Sequence, residues 1–267
     1  MKRILTLVAL AAGIAAPTLA QPANATVREL LAALKAQPGN WIVIPIAGTG
    51  YGQNGSVFHS DIAITAGDGY GDLRVAIAWL PVGRDASQDP VRYMMLPGYF
   101  EVGATVYPDP FGLTGFGALV IAAVDSNGVL KTAGTTIRAD VRIWSAGDCG
   151  GETSLAYRST RWLGSDRGTA IGLTVDDGFR TNAGIVNADA APHTWRIRAT
   201  SLVDGSSVDS EITVAAASSA ITGLAPGTEG PISVTIEAGS PDLSWTGWAA
   251  SVDNRSGDPW YSSLSPD

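Results

Sequence analysis

Apolar and polar residues alternate with a period of two over most of this chain, after one short segment with a helical period. In residues 26–38, Thr26 and Glu29 have the spacing of a capping box, which places a helix start at Thr26. The apolar face of this segment is formed by Leu30, Leu31 and Leu34. From Trp41 onward, apolar runs are separated by turns rich in Gly, Asp and Pro. The pattern therefore predicts an all-β chain preceded by a short helix over residues 26–38.

The first half contains seven segments with the pattern of strands, and the second half repeats part of their order. The seven predicted strands are 41–47, 58–65, 73–80, 91–96, 101–107, 118–124 and 137–144. Four sites in the second half match sites in the first half, in the same order along the chain. Phe179 matches Phe58, residues 195–198 match 75–78, residues 230–234 match 117–121, and residues 250–256 match 139–145. A repeated unit of about 100–120 residues has the size of an immunoglobulin-like sandwich. We therefore predict two tandem immunoglobulin-like β-sandwich domains, over residues 40–163 and 168–267.

The first 25 residues have the composition of a targeting segment. Lys2 and Arg3 precede an apolar run over residues 4–16, and small residues follow it. The run is too short to cross a bilayer as a helix. The sequence predicts a signal peptide over residues 1–25, cleaved after Ala20 or Ala25, and a secreted or periplasmic protein without membrane insertion.

The charge of the chain bears on its partners, and its cysteine content bears on how the fold is stabilised. The chain carries 17 Lys and Arg against 25 Asp and Glu, and no basic stripe occurs along it. Nucleic acid is therefore not an expected partner. Cys149 is the single cysteine, so an internal disulfide is excluded and the core alone must hold the fold. Asp148 beside it disfavours the thiolate form that a nucleophile requires.

Two motifs carry a resemblance to a known group of proteins. Residues 179–187 follow the pattern Phe-Arg-Thr-Asn-x-Gly-Ile-Val-Asn, and residues 250–259 read Ala-Ser-Val-Asp-Asn-Arg-Ser-Gly-Asp-Pro. Together they resemble the β-sandwich repeats of many secreted bacterial proteins, which occur in tandem or beside enzymes and other extracellular modules. The resemblance covers nearly the whole mature chain and implies a fold and a compartment, without a settled activity. The first repeat departs from the pattern, with His59-Ser60-Asp61 in place of Arg-Thr-Asn.

The sequence contains no supported catalytic constellation. His59 and His193 are the only histidines, and the G-x-S-x-G pattern of a nucleophile elbow is absent. His59 and Ser60 are consecutive on a predicted strand, so their side chains should point to opposite faces. The glutamates are scattered, at positions 101, 152, 211, 229 and 237. We predict a non-enzymatic protein, with an extracellular polysaccharide hydrolase that uses a carboxylate pair as the alternative.

No cofactor is predicted, and calcium is the one metal with candidate ligands. Two histidines and one cysteine match no zinc spacing. Asp253 and Asp258 offer hard oxygen atoms in the C-terminal turn, which makes them weak calcium candidates. Aspartates at such positions more often form turns through bonds to the backbone.

The remaining candidate residues divide into aromatic and polar groups. Trp245, Trp248 and Trp260 would stack on sugar rings if they are exposed, or fill the core if they are buried. The polar group is a proposed structural motif formed by Arg180, Asn182, Asn187, Asp253 and Asn254. We expect Arg180 to pair with Asp253 or Asp258, and Asn182 and Asn187 to bind loop backbone.

Taken together, these patterns predict a secreted, non-enzymatic binding, adhesion or structural module. An extracellular protein or a polysaccharide is the expected kind of partner, and a carbohydrate-binding module that uses the three tryptophans is an alternative. The ligand and the oligomeric state stay open at this stage.

Overall fold

The computed structural model describes residues 25–36, 40–52, 56–66, 73–96, 99–102, 113–131, 136–146, 152–224, 227 and 229–267. Over these residues the chain is all-β, with one short helix and three antiparallel sheets. The all-β prediction is therefore confirmed. The predicted signal peptide, apart from Ala25, and Cys149 lie outside the described residues.

The predicted helix is present as α1 (Val27–Ala36), and the capping box forms at its start. The Thr26 backbone N–H donates to Glu29 Oε2 at 2.8 Å, and the Glu29 N–H donates to Thr26 Oγ1 at 3.3 Å. The buried face of α1 consists of Val27, Leu30, Leu31 and Leu34. This face packs against the outer surface of the first sheet, and Lys35 Nζ lies 3.0 Å from Asp189 Oδ1.

The first eight strands, here called the first half, form one eight-stranded sheet. They are β1 (Trp41–Tyr51), β2 (Val57–Ala66), β3 (Leu73–Pro81), β4 (Arg92–Leu96), β5 (Tyr99–Val102), β6 (Gly115–Ala123), β7 (Ile137–Ala146) and β8 (Glu152–Arg158). Their order is β4-β3-β6-β1-β2-β7-β8, with β5 paired to β2. The body of β1 pairs with β6, and only its last residues, Gly50 and Tyr51, pair with β2. The sheet therefore folds over at β1 and encloses apolar residues between its two parts.

The remaining strands, here called the second half, form two separate sheets. They are β9 (Arg167–Val175), β10 (Phe179–Asn187), β11 (His193–Ser201), β12 (Ser207–Val214), β13 (Ser218–Gly223), β14 (Gly230–Glu237), β15 (Trp245–Asp253), β16 (Pro259–Ser263) and β17 (Ser265–Pro266). The four-stranded sheet has the order β13-β10-β15-β16, and the five-stranded sheet has the order β12-β11-β14-β9-β17. An apolar core, which includes Trp195 and Trp245, lies between them.

The four-stranded sheet is buried on both faces at its two central strands. All but the last residue of β15 are buried, and so are the last five residues of β10. Since side chains alternate along a strand, Ile185 and Ala249 enter the second-half core, whereas Trp248 and Ala250 join the core of the first half. This sheet therefore acts as the wall between the two cores.

Within the described part of the chain, no helix has both the length and the apolar character that crossing a bilayer requires.

Candidate functional site

The larger of two neighbouring cavities lies where the first half meets the wall sheet, and we call it the junction cavity. Its volume is about 520 Å³. The first half lines it with Ile46, Tyr51, Gly52, Phe58, Phe116, Ile143 and Leu155, and the second half with Arg180, Asn182, Ile221, Trp248, Ala250, Val252, Gly257 and Pro259. The lining is apolar apart from Tyr51, Arg180 and Asn182. Tyr51 has 83% of its surface exposed, so the cavity opens to solvent on that side.

Strand register places the cavity-facing residues of the second half in rows. On β10 and β15, Arg180 pairs with Val252, Asn182 with Ala250, and Gly184 with Trp248. Residues two apart on a strand share a face, so these three pairs form one continuous surface. The motif around residues 180–184 therefore lies in the wall of the junction cavity.

Gly184 is required by the close approach of an aromatic ring. A Cβ atom at this position would lie 2.1 Å from Cε2 of Trp248 and 2.2 Å from its Nε1. The indole thus lies directly against the backbone of β10 and fills the space that a side chain would occupy. This contact fixes the position of Trp248, which is 4% exposed, in the cavity wall.

Trp248 continues into a stack of aromatic rings that joins the two halves. Its ring is 6.1 Å from that of Tyr261, and Tyr261 stacks on Tyr157 of the first half at 4.9 Å. The Tyr157 hydroxyl donates a hydrogen bond to the Ile46 carbonyl oxygen. Burial raises the pKa of both phenols, because the charged form loses its hydration.

Two phenylalanines of the first half border the cavity near its opening. The rings of Phe58 and Phe116 meet edge to face, with centroids 6.5 Å apart. Each ring also covers a glycine of the segment where β1 ends, Phe116 covering Gly50 and Phe58 covering Gly52. The glycines of this segment therefore admit aromatic rings where a side chain would not fit.

Arg180 stands in the wall without an acidic partner. Its Nη1 donates to Asn254 Oδ1 at 2.8 Å, and no described carboxylate lies within ion-pair distance of its guanidinium. The predicted pairing with Asp253 or Asp258 is therefore wrong. The Asp253 carboxylate instead accepts the backbone N–H groups of Arg255 and Ser256, and these bonds hold the pKa of Asp253 below its usual range.

Asn182 and Asn187 differ in what their side chains do. Asn187 is fully buried, its Nδ2 donates to the carbonyls of Ala191, Val214 and Ala215, and its Oδ1 accepts the Asp189 N–H at 3.0 Å. It binds loop backbone, as the sequence predicted. The Asn182 side chain makes no hydrogen bond to the described residues and faces the cavity instead.

A smaller cavity of about 310 Å³ lies beside the first one. Arg180 and Asn182 line it as well, together with Asp176, Phe179 and Leu224 among others. The side chains of Arg180 and Asn182 therefore lie between the two cavities and line both.

The three candidate tryptophans lie in different surroundings. Trp245 is fully buried, with its Nε1 donating to the Ser165 carbonyl, so it offers no ring face for a sugar. Trp248 faces the junction cavity. Trp260 is partly exposed, meets Phe179 edge to face at 5.2 Å, and donates to the Gly172 carbonyl.

The described residues contain no group of three or more His, Cys, Asp or Glu side chains placed to hold a metal ion. The calcium candidates take part in a turn, where the Asp253 N–H donates to the Asp258 carbonyl at 3.0 Å. Asp253 and Asp258 thus serve the hairpin between β15 and β16.

His59 and Ser60 diverge as the strand geometry predicts. The Ser60 hydroxyl donates to the Gly48 carbonyl in the interior of the first half, while His59 packs on Trp144 at 4.9 Å on the other face of β2. Among the described residues that line the junction cavity, none carries a carboxylate, an imidazole or a thiol.

No protein-family model matches this chain, and no curated protein matches it at a significant level.

Proposed function

We propose that this chain is an extracellular, non-enzymatic binding module of two tandem β-sandwich units, and that the junction cavity is its binding site. The observation that carries the proposal is an apolar cavity of about 520 Å³ with two polar side chains in one wall. Small-molecule sites have volumes of about 300–1,000 Å³ and this same mixture of an apolar lining with a few polar groups. The proposed ligand is therefore a small, mainly apolar molecule.

Strand order supports the proposal of two tandem units. Apart from the short β1–β2 pairing, each pairing within β1–β8 recurs eight strands later: β4-β3-β6-β1 corresponds to β12-β11-β14-β9, and β5-β2-β7-β8 to β13-β10-β15-β16. The four sequence correspondences between the halves also join strands that are eight apart, such as Phe58 in β2 and Phe179 in β10. Duplication of one eight-stranded unit accounts for both observations.

We propose that each unit resembles an immunoglobulin-like repeat in being a sandwich of two sheets, and that its strand order differs. In the constant-type immunoglobulin order the first strand neighbours the second within one sheet. Here the first strand of each unit pairs along its body with the sixth, β1 with β6 and β9 with β14. Secretion is proposed from the sequence, on the basis of Lys2, Arg3 and the apolar run that follows them.

The cavity lining favours binding over hydrolysis. A glycosidase needs two carboxyl groups that flank the scissile bond. The described lining contributes none, and its single cation, Arg180, forms no ion pair with a described carboxylate. We therefore propose recognition without chemical conversion of the ligand.

The proposal can be tested with a neutral apolar fluorophore such as phenylnaphthylamine. We expect one saturable site per chain, with enhanced dye emission. Ala250→Leu and Ile221→Phe add side-chain volume inside the cavity, so each should weaken binding by at least about tenfold. Ala156→Leu, on the exposed face of β8, is the matched control and should leave the affinity unchanged.

Thermal unfolding and circular dichroism of each variant establish that it is folded. Equal dye affinity in the wild-type protein and in both folded cavity variants would contradict the proposed site. Absence of saturable binding to the wild-type protein would contradict it as well.

A further inference from the structure

The two polar side chains in the wall of the junction cavity indicate which chemical group its ligand has at one end. Building on the proposed function, we infer that the cavity takes a single-chain alkyl carboxylate. Arg180 and Asn182 hold the carboxylate, and the apolar lining receives the alkyl chain. The inference stands on three observations among the described residues: Arg180 forms no ion pair, the amide of Asn182 makes no hydrogen bond, and the rest of the lining is mainly apolar.

Arg180 retains most of its capacity to donate hydrogen bonds. A guanidinium carries five N–H donors in a planar fork, and the described contacts of Arg180 use one of them, towards Asn254. A carboxylate matches this fork with two parallel bonds. Arg180 therefore has the donors that an anionic head group requires.

Asn182 adds a second donor on the same face of β10. Its side chain makes no hydrogen bond to the described residues, and it lies two residues from Arg180, so both side chains line the cavity. An amide N–H from Asn182 and the guanidinium of Arg180 can converge on one head group.

Two acids near Arg180, Asp176 and Asp253, use their carboxylates in turns and form no ion pair with it among the described residues. Asp176 Oδ1 accepts the N–H groups of Gly178 and Phe179 at 2.7 and 2.9 Å. The Asp253 carboxylate is held by Arg255 and Ser256 in the same way. These bonds tie both carboxylates to their own turns, and the positive charge of Arg180 remains for a ligand.

The rest of the lining fits an alkyl chain. Ile143, Leu155 and Ile221 present aliphatic groups, and Trp248 adds part of its indole ring. Each buried methylene group should tighten binding by about fourfold. Affinity should therefore rise with chain length until the cavity is full.

The test compares three ligands with the same tail: dodecanoate, dodecanol and dodecylamine, each measured by displacement of phenylnaphthylamine. In the wild-type protein, dodecanoate should bind most tightly. In Arg180→Gln the affinity for dodecanoate should fall by at least about tenfold, because a charge-assisted bond is lost. The affinity for dodecanol should change by less than about twofold.

Arg255→Gln is the matched control, since Arg255 is exposed and does not line the cavity. Its affinities should equal those of the wild-type protein. Asn182→Asp is a second variant that places a negative charge beside Arg180. It should weaken the binding of dodecanoate and strengthen that of dodecylamine.

The outcomes separate this inference from the proposed function. If the three ligands bind equally well, or if dodecylamine binds most tightly to the wild-type protein, the carboxylate assignment is overturned while the apolar site stands. If neither the dye nor any of the three ligands binds, both proposals fail. These comparisons on the wild-type protein decide the matter even if Arg180→Gln does not fold.

Discussion

At the scale of single residues, the contact between Gly184 and Trp248 sets the shape of the cavity wall. Gly184→Ala would place a methyl group 2.1 Å from the indole and force the ring to move. Such overpacking lowers the free energy of unfolding by about 1–3 kcal/mol. A displaced ring also enters the junction cavity, so dye affinity should fall together with stability.

Urea unfolding and dye titration measure the two effects of Gly184→Ala. Gly223→Ala on neighbouring β13 is the control, because its added methyl group would meet only Asn182 Oδ1, at 3.8 Å. It should change the free energy of unfolding by less than about 0.5 kcal/mol. Wild-type stability and affinity in Gly184→Ala would show that the indole does not rest on this glycine.

The stacked phenols of Tyr157 and Tyr261 predict a loss of stability at alkaline pH. Burial raises the pKa of both groups in the folded protein above the unfolded value of about 10. Below about pH 10 both phenols are protonated in the folded and in the unfolded state. They therefore contribute no pH dependence to the free energy of unfolding in that range. Above it the unfolded chain loses protons first, so the free energy of unfolding falls with rising pH, by up to about 1.4 kcal/mol per unit for each phenol.

Urea unfolding at a series of alkaline pH values measures this slope. Tyr261→Phe removes one of the two titrating groups and should make the decline shallower. Tyr51→Phe removes an exposed phenol and should leave the slope as in the wild-type protein. An identical slope in all three proteins would refute the effect assigned to burial.

At the scale of elements, the end of β10 is held by one buried amide. Asn187→Ala leaves the carbonyls of Ala191, Val214 and Ala215 without its Nδ2 donor. Leaving such groups buried and unpaired should lower the free energy of unfolding by about 2 kcal/mol or more. Asn127→Ala, in an exposed turn, is the control and should stay within about 0.5 kcal/mol of the wild-type value. A near-neutral Asn187→Ala would mean that the amide does not anchor this strand.

Among the strands, some could be predicted from the sequence and others could not. Strands with a buried face, such as β3, β6 and β7, could be predicted from the sequence. Burial of one face makes apolar and polar residues alternate, and burial of both faces gives a continuous apolar run. The edge strands β8 and β12 were not singled out. Their exposed positions carry Glu, Asp, Ser and Arg, which are common on sheet edges and also in loops.

The candidate site was only partly predictable from the sequence. A glycine inside the strand pattern at position 184 indicates a close approach, and the motif around it does line the cavity. The first-half residues of the lining, such as Ile46 and Leu155, gave no signal of their own. Their role depends on how the two halves pack, which the period of a strand does not encode. The expected partner of Arg180 was wrong because Asn254 accepts from its guanidinium, while the Asp253 carboxylate accepts N–H groups of its own hairpin.

At the scale of the whole molecule, the two halves share part of their buried surface. Trp248 and Ala250 of the second half belong to the core of the first, and Val186 and Ala217 belong to the same cluster as the buried face of α1. Unfolding either half alone would expose this shared surface. Differential scanning calorimetry should therefore give one cooperative transition. Two resolved transitions would show that the halves are energetically independent.

The central claim, that the junction cavity is a ligand site, is tested most directly by methyl NMR during titration with phenylnaphthylamine. Ring-current shifts should appear, and saturate together, at Ile46, Ile143 and Ile221, which line the cavity. Ile197 and Ile236, in the core of the second half, should not move. Shifts confined to exposed Ile171, Leu202 and Val203, or no saturable shift at the cavity residues, would contradict the claim.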